Sequence, residues 1–202
     1  MKIIGNGRLL DQANPANFMG YHFPTGTYVH PGYPQPGGRS GTFVTTQNTL
    51  LVEPICLAQF MTFDRILVEV TGAVAATTIR LGLYRLNKAL YPTTLVSEYG
   101  TVDSSGIGYL TLTIATGLEP GWYGLAMVAQ GGTPTCRSWA GIPIVAWPEP
   151  QIGGYDNAGP NRPNYIYALA GVVGALPNPF TAGQTMVPGG FSLFLRVLSV
   201  GG

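Results

Sequence analysis

The feature that most limits how this chain can fold is strand-period alternation. In residues 63–71, FDRILVEVT, the side chains of Ile66, Val68 and Val70 share one face, and Arg65, Leu67 and Glu69 share the other. Residues 77–86 repeat the pattern, with Ile79, Leu81 and Leu83 opposed to Thr78, Arg80, Gly82 and Tyr84. Residues 109–114 keep Leu110, Leu112 and Ile114 in phase. No window shows apolar spacing of three and four residues behind a capping residue, so helices are not expected.

Further short runs at 42–48, 50–55, 94–102, 141–147, 165–169 and 191–197 read as strands, the second interrupted at Pro54 and the fourth confined to an edge or bulge by Pro143. Residues 122–130, WYGLAMVAQ, are apolar nearly throughout and predict a central strand. Asp103-Ser104-Ser105-Gly106 is a turn sequence, and Glu119-Pro120-Gly121-Trp122 has the proline and glycine of a type II turn. Many short strands with frequent turns predict an all-β fold, an antiparallel β-sandwich of jelly-roll type, over residues 42–202.

Residues 1–41 read differently. Pro15, Pro24, Pro31, Pro34 and Pro36 stand among glycines, asparagines and aromatics, which predicts an extended arm. Its aromatics Tyr21, Phe23, Tyr28 and Tyr33 would gain nothing in water, so they are expected to anchor the arm in grooves of this domain or a neighbour. Gly37 to Gly41 supplies a hinge-like break before the sandwich.

Charged residues make up only 9% of the 202, and net charge is +1. A fully exposed monomer usually carries more charge, so part of the surface is expected to be covered by other chains. No Lys or Arg run forms a basic stripe, which argues against nucleic-acid binding. The N-terminal residues lack the apolar run of a signal peptide, and no apolar stretch is long enough to span a bilayer. The longest such stretch, residues 166–176, reads as a loop or strand packed against something; its Val172, Val173 and Leu176 are candidates for a subunit interface.

Little chemistry is legible. His22, His30, Cys56 and Cys136 could form a metal site only through unsupported folding, and two cysteines do not make a disulfide framework. No serine sits in a nucleophile elbow and no glycine pair lies between a strand and a helix, so neither an enzyme nor a cofactor is expected. Among the acids, Asp156 in the long polar segment 148–164 is the one most open to a role. Trp139, Trp147, Tyr155 and Asn157 could stack on and hydrogen-bond a glycan; core or interface packing is the simpler reading of the two tryptophans.

The stretches MTFDRILVEVTG, TTIRLGLYRL, GTVDSSGIGYLTLTI, LEPGWYGLAMVAQGG, ALPNPF and FSLFLRV together resemble a β-sandwich module of bacteriophage virion proteins. The resemblance spans about two-thirds of the chain from Met61 onward and leaves residues 1–41 uncovered. It implies an oligomeric virion part, often a trimer, assembled in the host cytoplasm. A compact domain with an arm and no long shaft fits a capsid decoration or cement protein that clasps the major capsid protein. The alternative is a tail fibre or glycan-binding receptor module.

Overall fold

The computed structural model describes residues 4–5, 8–9, 25–29, 41–57, 59–138, 142–143, 161–162, 165–188 and 190–200. The strands are β1 (Ile4–Gly5), β2 (Arg8–Leu9), β3 (Tyr28–Val29), β4 (Gly41–Val44), β5 (Leu50–Leu57), β6 (Met61–Gly72), β7 (Thr78–Leu86) and β8 (Pro92–Asp103). There follow β9 (Gly108–Leu118), β10 (Gly121–Gln130), β11 (Thr135–Ser138), β12 (Ile142–Pro143), β13 (Asn161–Arg162), β14 (Tyr165–Leu169), β15 (Met186–Pro188) and β16 (Leu193–Val200).

Strands β4 to β11 form two antiparallel layers in the orders β4-β11-β6-β9 and β5-β10-β7-β8. Apart from the β7–β8 connection, every link between them crosses from one layer to the other. That order is a jelly roll, as the alternation predicts. The inward residues pack one core, with Phe63, Ile66, Val68 and Val70 of β6 facing Ile79, Leu81 and Leu83 of β7 and Tyr123, Leu125 and Met127 of β10. Phe63 and Ile66 are three positions apart yet both point inward. The register shifts between Phe63 and Arg65 on both flanks of β6, so the alternation changes phase at Asp64.

The later strands extend this frame. β14 adds to the outer edge of β5, and β15 to β14. β11 reaches only the last residues of β6, and β16 takes the remainder of the same edge. The Ser192 amide donates to the Arg137 carbonyl at 3.0 Å. The chain therefore leaves the sheet after β11 and returns beside its point of departure, and β11 with β16 serves as one interrupted jelly-roll strand. β3 flanks β16, so residues 28–29 of the expected arm are docked on this chain's own sheet.

Two sequence expectations change. β5 runs through Pro54 without a break. β14 pairs only with residues 50–52, so at Pro54 the strand has become an edge with a partner on one side alone, the setting in which a strand tolerates proline. Gly121 has φ of 158°, not the +80° of a type II turn, and it opens β10 directly.

The apolar run in β10 also finds its cause. Tyr123, Leu125, Met127 and Ala129 face the inter-sheet core. Ala126 and Val128 face outward into a second cluster with Leu50, Val52, Tyr84, Tyr167, Val172, Leu176 and Phe180. Residues 170–184 thus roof the outer face of the β5-β10-β7-β8 layer. Glu98 accepts from the Leu176 amide at 2.7 Å, Tyr84 donates to the Pro177 carbonyl at 2.7 Å, and Phe180 N–H donates to the Thr93 carbonyl at 2.8 Å.

Candidate interaction surface

One end of the sandwich gathers the turns 45–49, 73–77, 104–107 and 131–134, with residues 171–175 of the roof beside them. Antiparallel topology places all of them together, and hydrogen bonds join them. The Thr45 amide and hydroxyl both donate to the Pro134 carbonyl, at 3.0 and 2.9 Å. Asn48 N–H donates to Ala129, and Val172 N–H to the Asn48 carbonyl, each at 2.8 Å. Ser104 N–H donates to the Thr77 carbonyl at 2.9 Å, and the two hydroxyls are 2.7 Å apart. Gly131 has φ of +87°, and a Cβ there would lie 2.6 Å from the Ala76 carbonyl oxygen, so only glycine suits that position. These bonds make the end a braced surface rather than a set of independent loops.

None of these five segments contains a charged residue. The four most exposed large hydrophobic side chains among the described residues all lie here: Val173 at 75%, Ile107 at 73%, Val44 at 65% and Tyr109 at 61%, with Leu198, elsewhere, next at 51%. Asp103 adjoins the turn 104–107 and the Glu69–Arg137 pair lies beside Tyr109, so this end is poor in charge rather than free of it, and its exposed apolar side chains give it the composition of an interface centre. Its signal in the sequence was the scarcity of charge in successive turns, but turns read singly serve only as punctuation.

Of the sequence-derived candidates, Tyr28, Val172, Val173 and Leu176 lie among the described residues. Tyr28 stands at the sheet margin with its ring edge-on to Phe194, centroids 6.4 Å apart. Val172 and Leu176 are buried under the roof and spend their apolar surface inside the chain, which leaves Val173 as the open member of that trio. Tyr21, Phe23, Tyr33, Trp139, Trp147, Tyr155, Asn157, Asp156 and both histidines lie outside the described residues, as do the break at 37–40 and the 148–164 segment apart from Asn161–Arg162.

The described charges mostly brace the frame. Arg196 pairs with Asp64 and holds that carboxyl below the usual aspartate range. Arg137 grips Glu69 through two nitrogens at 2.8 and 3.1 Å, and Arg80 pairs with Glu98. Asp103 accepts from the Ser105 amide at 2.9 Å within its own turn, and its carboxyl is held low by that bond. Cys56 and Cys136 form no disulfide, and burial pushes the Cys136 thiol up to about 12. Among the described residues no three His, Cys, Asp or Glu side chains gather as a metal site would require.

Glu53 is the residue that sequence reasoning passed over. It shares the inward face of β5 with Ile55 and Leu57, and burial raises its carboxyl well above the ordinary range. The Phe191 amide donates to it at 3.4 Å, close to where the chain rejoins the sheet. A lone acid inside LLVEPICL was the available signal.

No protein-family model matches the chain, and no curated protein is significantly similar to it. What stands of the virion resemblance is the fold, an all-β antiparallel sandwich.

Proposed function

We propose that the chain is a structural virion protein, a capsid decoration or cement protein that docks on assembled shell subunits and stabilises them. The observation that carries this reading is the braced, charge-poor end of the sandwich, at which Val44, Ile107, Tyr109 and Val173 are each exposed. The jelly-roll order, the low charge content and the proline-rich first 41 residues support it, since each suits attachment more than turnover. Docking on the assembled shell in preference to its separated subunits would stabilise the shell by linkage.

The test is to add purified protein to phage shells stripped of accessory proteins and to run a glycan array in parallel. Shell binding with a raised disruption temperature supports decoration. Glycan binding without shell affinity replaces it with the receptor-binding alternative.

A further inference from the structure

Sheet edges expose unpaired N–H and C=O groups, and folded chains blunt them by shortening, bulging, charge or proline. Nearly every edge among the described residues is treated in this way. β3 and β4 have two and four residues, and β15 has three and ends in Pro188. β8 is long, but it begins at Pro92, carries Glu98 and Asp103, and shifts register against β7 three times.

β9 is the exception over residues 108–113, ahead of its one register shift against β6 opposite Asp64. Among the described residues it pairs with β6 alone. Its sequence, GYLTLTIATGL, holds no charge and no proline. Exposed and more buried residues alternate without a break along all 11 residues. Leu110 and Leu112 belong to the inter-sheet core yet remain only half-buried, so the core itself is open along this margin.

We infer that β9 is a homotypic pairing edge, which takes β9 of a second copy antiparallel across a two-fold axis at Thr111. The chemistry of a bare strand edge selects another extended strand as occupant. Self-pairing is selected by the side chains. With Thr111 opposite Thr111 of the second copy, Tyr109 meets Thr113 on the outer face and Leu110 meets Leu112 on the core face. These are threonine–threonine, aromatic–β-branched and aliphatic pairs, all favourable across antiparallel strands, and no charge is opposed or stranded. The contact closes the half-open leucine row, and as an isologous contact it joins two copies only, in place of the three-fold association that the virion resemblance implies. It does not depend on the decoration reading.

Sedimentation of the full chain at micromolar concentration tests the inference, alone and as Thr111→Lys and Thr111→Cys. Thr111 is exposed, so the lysine variant should fold while two like charges meet at the axis and the dimer is lost. Under mild oxidation Thr111→Cys should become covalently dimeric, while the wild type with its buried and half-buried thiols does not. A monomeric or trimeric wild type, a Thr111→Lys variant that stays dimeric, or a Thr111→Cys variant that stays uncrosslinked would each overturn it.

Discussion

Leu176 lies directly over Gly82. A Cβ built at residue 82 would overlap Leu176 Cδ1 and come within 3.1 Å of the Ser97 carbonyl oxygen. The glycine in the outward row of β7 is therefore the socket for the roof, and Leu176 is what fills it. Leu176→Ala should cost about 2–5 kcal/mol of unfolding free energy, as buried leucine truncations do. Gly82→Val should cost about 1–3 kcal/mol through overpacking. The double variant should lose clearly less than the sum, because the new methyls occupy the space left by the leucine. Urea unfolding of all four proteins measures the coupling, and strict additivity would contradict the packing described.

Glu98 ties the same roof to the sheet. Its carboxylate accepts from the Leu176 amide and pairs with Arg80. Glu98→Ala leaves that amide without its acceptor, at a cost of about 1–3 kcal/mol. Hydrogen exchange should quicken at Leu176 and its neighbours before it quickens in β10, which lies beneath. Uniform quickening would show that the roof and the sheet open as one unit.

Glu53 predicts a pH dependence of defined sign. Its folded-state pKa is raised by burial, so the folded chain retains a proton that the unfolded chain releases above the ordinary carboxylate range. Stability from this group is therefore present at low pH and lost as pH rises from the unfolded value to the raised folded one. The slope is at most about 1.4 kcal/mol per pH unit for one proton. Glu53→Gln should remove that part of the pH dependence in chemical melts between pH 4 and 7. A wild-type profile unchanged by the substitution would contradict the buried, protonated acid.

Cys136 offers a simpler check. Its thiol is fully buried and held protonated up to about 12. At pH 8 it should resist an aromatic disulfide reagent in the native protein and react at once in denaturant. Native labelling of Cys136, located by mass spectrometry, would show that the core opens readily.

The central strands were legible because their side chains alternate. β6, β7 and β9 lie where Ile66, Ile79 and Leu110 place them, and residues 122–130 read correctly as central. β11 escaped notice because four residues, TCRS, are too few for a periodicity. The phase change at Asp64 was invisible for a related reason: it depends on partners distant in sequence. The continuity of β11 and β16 was equally hidden, since it joins Arg137 to Ser192 across a long excursion. The burial of Val172 and Leu176 follows from a glycine socket that only the folded sheet assembles.

The most direct measurement of the functional claim is cosedimentation of the protein with stripped shells, comparing the wild type with Ile107→Asp and Val173→Asp. Both side chains are exposed, so thermal unfolding should change by no more than about 0.5 kcal/mol in free energy. Each substitution sets a charge among exposed apolar side chains, and shell affinity should fall at least tenfold. Wild-type binding that survives both substitutions unchanged would place the contact elsewhere on the molecule and contradict the account.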